Sequence, residues 1–103
     1  MKHLTGIALA LMTLPLAASA ETAEEREARC TAQGEIMAQA AEMRVARRSE
    51  KRAKAELLET VEERMKPSVP ILVGYVYTLN RKDLKDLDVQ ATFVEQCTNA
   101  VID

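Results

Sequence analysis

Residues 22–45, TAEEREARCTAQGEIMAQAAEMRV, carry both a start signal and a periodicity typical of an α-helix. Thr22 and Glu25 match the capping box, in which two side chains satisfy free backbone N–H groups at the start of a helix. Small or nonpolar residues then recur at steps of three and four, which places them on one face: Cys30, Gly34, Met37, Ala41 and Val45. The stretch predicts a long first helix that packs along this face.

A second, weaker nonpolar side of the same helix carries Ala32, Ile36 and Met43. Because these residues do not share the face of Cys30, we expect the helix to lie between two neighbours. One neighbour could be a second copy of the chain, and we predict that Ile36 and Met43 take part in a homodimer interface. The alternative is that both are partly exposed surface residues.

The next segment predicts a charged, amphipathic second helix. Ser49 is a suitable N-cap for a helix over residues 50–66, and Pro67 disfavours helical geometry at the residue before it. Its nonpolar stripe consists of Leu57, Leu58, Val61 and Met65.

Residues 71–79, ILVGYVYTL, are nonpolar nearly all round, which suits either a buried helix or a buried strand. No partner strand is visible elsewhere, and a lone strand would leave its backbone groups unpaired. We therefore predict a helix that follows Ser68 and Pro70, with Gly74 at a close helix crossing. A last helix is predicted to start at Asp83 and to continue to Val101.

These elements predict an all-α fold, a small three-to-four-helix up-and-down bundle in a single domain over residues 21–103. Cys30 and Cys97 are the only cysteines, and we expect a disulfide between the first and last helices. Intermolecular pairing is the main alternative. A redox-active pair is disfavoured, because no Cys-x-x-Cys motif is present.

Residues 1–20, MKHLTGIALALMTLPLAASA, have the organisation of a secretory signal peptide. A positive start precedes a nonpolar stretch, and the small residues of Ala18-Ser19-Ala20 suit cleavage by signal peptidase. We therefore expect residues 21–103 to be exported, to the periplasm or outside the cell, where disulfides persist.

The composition argues against catalysis and against a cofactor or metal. The chain has 103 residues, a net charge of −2 and one histidine, and that histidine, His3, lies in the predicted signal peptide. No nucleophile–base pair can be named beyond it, and no segment resembles a calcium-binding loop. We predict no catalytic residue, no cofactor and no metal site.

A basic segment over residues 44–54 is the most conspicuous charge feature. Six basic residues are opposed only by Glu50: Arg44, Arg47, Arg48, Lys51, Arg52 and Lys54. The segment could bind an acidic partner or the anionic headgroups of an envelope membrane, although peripheral membrane contact is not favoured. Nucleic acid is not expected, because no aromatic residues interleave the basic ones. The alternative is a solvated connection whose arginines pair with acidic residues of the same or a neighbouring molecule.

Tyr75 and Tyr77 lie on opposite sides of the predicted third helix. We therefore expect one to pack inward while the other reaches the rim, where an exposed tyrosine could anchor an interface.

Three short motifs resemble a group of uncharacterised exported bacterial helical proteins with one disulfide: Cys30 with Gln33, residues 76–79 (VYTL) and residues 95–97 (EQC). The segment FVEQCT, residues 93–98, is similar to the C-terminal cysteine region of acid-stress chaperones of the HdeA type. This chain lacks that family's tryptophan near the first cysteine. A third similarity, in architecture, is to helical periplasmic immunity proteins.

Together these features favour an exported helical protein that acts by protein–protein contact or by homo-oligomerisation, with a partner that the sequence does not identify. The resemblance to HdeA-type proteins implies an alternative role as a periplasmic stress chaperone. The basic segment implies another alternative, binding of anionic envelope components.

Overall fold

The first helix, α1, spans Ala23–Val45 and is the element on which the others pack. A computed structural model describes residues 21–100, so the predicted signal peptide of residues 1–20 lies outside the described residues. The Thr22 side chain accepts a hydrogen bond from the Glu25 N–H at 3.0 Å, and the Glu25 carboxylate accepts one from the Thr22 N–H at 2.9 Å. The predicted capping box is confirmed.

Four further α-helices follow α1 within residues 21–100, and this part of the chain contains no strand. They are α2 (Glu50–Thr60), α3 (Val69–Val76), α4 (Arg81–Asp86) and α5 (Val89–Asn99), with a 3-10 helix over Glu63–Ser68 before α3. Helix α1 packs most extensively against α5 and α3, and α2 packs on α3. The predicted all-α class is confirmed.

The Cys30–Cys97 disulfide joins α1 to α5, with a Cα–Cα distance of 5.7 Å. The predicted covalent link between the first and last helices is therefore confirmed. Residues 21–100 form five α-helices rather than three or four, because the predicted last helix is divided in two.

The core lies between α1, α2 and α3. Val69, Val73 and Val76 line the inner face of α3 and are fully buried. They pack with Met37 of α1 and Leu57 of α2 in one nonpolar cluster. The interpretation of residues 71–79 as a helix is confirmed for residues 71–76, after which the chain turns.

Ile36 does not lie on a free side of α1, although such a free side was the reason to predict it in a homodimer interface. Its side chain is only 2% exposed in the single chain. A small cleft brings it together with Thr60, Val61 and Met65, so the end of α2 and the 3-10 helix cover this side. Met43 is half-buried and packs against the same core. On this side, the second neighbour of α1 is thus a segment of its own chain.

Helix α2 ends at Thr60, six residues before the predicted end at Lys66. The Leu57 carbonyl accepts the Val61 N–H at 3.0 Å, and the backbone then becomes extended at Val61 and Glu62. Thr60 and Val61 are β-branched, and their side chains crowd the preceding turn of a helix. The negative charges of Glu62 and Glu63 would be unfavourable at the negative end of the helix dipole. The break brings Met65 into the core.

The predicted last helix is divided at Leu87. Asn80, rather than Asp83, caps α4 by accepting the Asp83 N–H at 2.8 Å, and Asp88 caps α5 by accepting the Ala91 N–H at 2.9 Å. An Asp side chain that accepts a hydrogen bond from a backbone N–H three residues later acts as an N-cap. It therefore starts a new helix instead of continuing the preceding one. As a result Leu84 is buried but Leu87, three residues later, is 59% exposed.

The close helix crossing lies at Gly34 rather than at Gly74. A Cβ atom added to Gly34 would lie 2.6 Å from Cγ2 of Val94, so this glycine lets α5 approach α1. Within residues 21–100, a Cβ atom added to Gly74 would have only the Glu50 carboxylate within 4 Å, at 3.8 Å. The predicted crossing at Gly74 is therefore not formed by the described part of the chain.

The C-terminus of α1 is closed by a Schellman motif centred on Arg47. The Arg48 N–H donates to the Met43 carbonyl at 2.9 Å and the Arg47 N–H to the Arg44 carbonyl at 3.0 Å. This geometry requires a left-handed residue, and Arg47 has φ 67° where glycine is usual. The left-handed conformation costs a residue with a Cβ atom about 1–2 kcal/mol.

Replacing Arg47 by glycine is expected to raise the free energy of unfolding by about 1 kcal/mol, because it removes the Cβ penalty at this turn. Urea denaturation measures the change. Ala46→Gly is the matched control: Ala46 has φ −76°, so glycine there only adds freedom to the unfolded chain and should destabilise. An Arg47→Gly variant no more stable than the parent would contradict this geometry.

Candidate functional site

Arg44, the first residue of the basic segment, is held within the molecule. Its Nε donates to the Leu79 carbonyl at 2.7 Å, and its guanidinium lies 5.2 Å from the centre of the Tyr77 ring. A cation over an aromatic face and a charge-assisted hydrogen bond both stabilise this position. Arg44 therefore ties α1 to the turn after α3.

Three other basic residues of the segment pair with carboxylates of α2. Arg48 Nη1 lies 2.8 Å from Glu56 Oε2, Arg52 Nε lies 3.5 Å from Glu56 Oε1, and Lys54 Nζ lies 2.8 Å from Glu50 Oε2. Arg47 and Lys51 are exposed and have no carboxylate within 4 Å among residues 21–100. The six predicted residues thus do not form one cluster of free cations, and anion binding by this segment stays a prediction.

Tyr77 packs inward and closes the turn between α1 and α2. Its hydroxyl donates to the Arg48 carbonyl at 2.8 Å, and its ring packs against the core. Burial raises the pKa of the Tyr77 phenol above its usual value, with the charge of nearby Arg44 acting in the opposite direction. These contacts give Tyr77 a structural role in the single chain.

Tyr75, by contrast, reaches solvent. Its side chain is 54% exposed, and Ile71, one turn earlier on α3, is 73% exposed. The expectation that one tyrosine packs inward while the other reaches the rim agrees with these positions. Ile71 was not predicted as an interface residue.

Ile71 and Tyr75 form one wall of a groove between α3 and α5, with a volume of about 310 Å³. We call it the α3–α5 groove. It is lined by Met37, Ile71, Leu72, Tyr75, Val89, Thr92, Phe93 and Gln96. No charged side chain is among them, whereas the clefts along the outer side of α1 contain Glu and Arg side chains. A concave, nonpolar surface with few polar groups is the usual form of a binding site.

The helix α3 exposes this surface because its composition leaves it no polar side. Between Val69 and Leu79 the chain has no charged residue. The face with Val69, Val73 and Val76 fills the core, so the opposite face must show nonpolar residues to solvent. The nonpolar composition of residues 71–79 therefore indicated both the buried face of α3 and its exposed nonpolar face, although only a tyrosine was expected at the rim.

No described helix combines the length and nonpolar composition that a membrane span requires. Among residues 21–100, no three His, Cys, Asp or Glu side chains lie close enough together to hold one metal ion.

No family model matches the sequence, and neither a curated protein nor a solved structure shows significant similarity to it. The resemblance to small exported helical proteins stays a prediction from the motifs around Cys30 and Cys97.

Proposed function

We propose that this protein acts by protein–protein contact, and that the α3–α5 groove is where it makes that contact. The observation that carries the proposal is the exposure of Ile71 and Tyr75, at 73% and 54%, on the wall of an uncharged groove. Large nonpolar side chains that line a concave surface together are typical of interaction sites, whereas single ones scattered over a surface are not.

The residues that line the groove indicate which side chains a partner would present to it. Because the groove offers no charge, a charged group buried in it would lose its hydration without gaining a counter-ion. The partner therefore presents nonpolar side chains at the centre of the contact. Thr92 and Gln96 at the edge supply polar groups that can bond a partner backbone.

The energy of such a contact would be concentrated in few residues. Full burial of an isoleucine side chain contributes about 1.5–3 kcal/mol, and tyrosine is among the residues enriched at the energetic centres of interfaces. Tyr75 also makes no side-chain hydrogen bond to another residue of the described part of the chain, so its hydroxyl is available to a partner. Ile71 and Tyr75 are the anchors of the proposed contact.

Site-specific photo-crosslinking in the producing cells tests this proposal. A photoreactive phenylalanine analogue at position 71 or 75 of the full chain is expected to give a light-dependent adduct of discrete mass. The matched control is position 87, since Leu87 is 59% exposed but lies in a separate cleft beside α1. Equal adducts from positions 71 and 87, or none from 71 and 75, would contradict a contact at the groove.

A further inference from the structure

We infer that the α3–α5 groove is occupied by a second copy of this chain, related to the first by a two-fold axis. This inference rests on the proposed function, because it identifies the partner at the same groove. Three features of the surface support it. Projecting side chains lie beside a groove that can receive them, the groove has no charged residue, and α5 is incompletely buried.

A two-fold interface brings one patch against an identical patch, so a projecting part and a receiving part must lie side by side on each copy. The α3–α5 groove has this arrangement. Ile71 and Tyr75 project from α3, and the space between α3 and α5 lies directly beside them, lined by Leu72, Val89 and Phe93. Each copy can therefore insert its projecting residues into the groove of the other.

The charge pattern also suits contact between identical surfaces. The chain contains 14 basic and 16 acidic residues, and a charged patch placed against its own copy would face like charges. The groove lining and the segment from Val69 to Leu79 have no charged residue. Two copies of this face can therefore contact each other without electrostatic repulsion.

Helix α5 is incompletely packed in the single chain. None of its residues is fully buried, although Val89 and Phe93 contact the core with part of their surface. A copy seated in the groove would cover these two side chains. The dimer therefore completes the burial of a helix that one chain leaves half-covered, as the small core of the single chain would require.

Sedimentation velocity of the purified oxidised protein at tens of micromolar tests the inference, with the expected result a dimer. Ile71→Glu is expected to raise the dimer dissociation constant about a hundredfold or more, because each interface would bury two unpaired carboxylates. Leu87→Glu makes the same change at an exposed leucine outside the groove, and should leave the dissociation constant within about threefold. Circular dichroism checks that both variants keep the helical fold.

Tyr75→Lys provides a second disruption at the groove should Ile71→Glu fail to fold, and the same loss of dimer is expected. A parent protein that is monomeric throughout this concentration range would overturn the inference, as would dissociation by Leu87→Glu equal to that by Ile71→Glu. The crosslinking experiment separates the two proposals. An adduct at position 71 that contains only this chain supports the dimer. An adduct with a different protein leaves the proposed function standing and overturns the dimer.

Discussion

Reduction of the Cys30–Cys97 disulfide is expected to lower the free energy of unfolding by about 4 kcal/mol, which is comparable to the whole stability of a domain of this size. The two cysteines are 67 residues apart, so the bond restricts most of the unfolded chain. In the folded chain it fixes the position of α5 on α1.

The other contacts of α5 are weaker than a covalent bond. No residue of α5 is fully buried, and the polar ties at its C-terminal end include the hydrogen bond of 3.1 Å from Arg26 Nη1 to the Ala100 carbonyl. The close packing of Val94 on Gly34 depends on α5 staying in register with α1. We therefore expect amide hydrogen exchange in α5 to increase more than in α3 when the disulfide is reduced.

Urea denaturation with and without a reductant measures the loss. The matched control is the double variant Cys30→Ala, Cys97→Ala, whose unfolding midpoint should be low and should not respond to the reductant. A parent protein whose midpoint is the same in both conditions would show that the disulfide does not stabilise this fold.

Leu57→Ala is expected to cost about 3 kcal/mol of unfolding free energy, whereas Leu58→Ala should cost about 1 kcal/mol. The two leucines are adjacent on α2 and were predicted on the same nonpolar stripe. Leu57 is 0% exposed and belongs to the central cluster, so its truncation leaves a cavity. Leu58 is 36% exposed, so water can replace the lost atoms.

The comparison is informative because both variants replace the same residue type in the same helix, which cancels the change in helix propensity. Chemical denaturation gives both values, and far-ultraviolet circular dichroism confirms that the helices persist. Equal costs for the two variants would mean that α2 is rotated about its axis relative to the arrangement described above.

The sequence was sufficient for local features, because these depend on residues close together in the chain. The capping box at Thr22 and Glu25 and the N-cap at Ser49 form as predicted. The cap of a helix bonds a backbone group only a few residues away, so its partner is always present. The pairing of the two cysteines was similarly restricted, since only one intramolecular disulfide is possible.

Part of the candidate site was also visible in the sequence. Tyr75 and Tyr77 were both predicted as possible interface residues, and Tyr75 is the one that lines the groove. The nonpolar character of residues 71–79 is what exposes the groove wall. Ile71 and Phe93 were not predicted, because the groove forms only where α3 and α5 meet. Residues more than 20 positions apart in the chain line it together. No pattern within a short stretch of sequence indicates that α3 and α5 pack side by side.

What only the tertiary structure decided is which nonpolar residues are covered. Ile36 and Ile71 have the same side chain, yet the first is 2% exposed and the second 73%. Ile36 is covered because α2 ends at Thr60 and the following 3-10 helix lies over it, whereas no element within residues 21–100 covers Ile71. Burial is a property of the space around a side chain, and the breaks after α2 and α4 determined which chain segments filled that space.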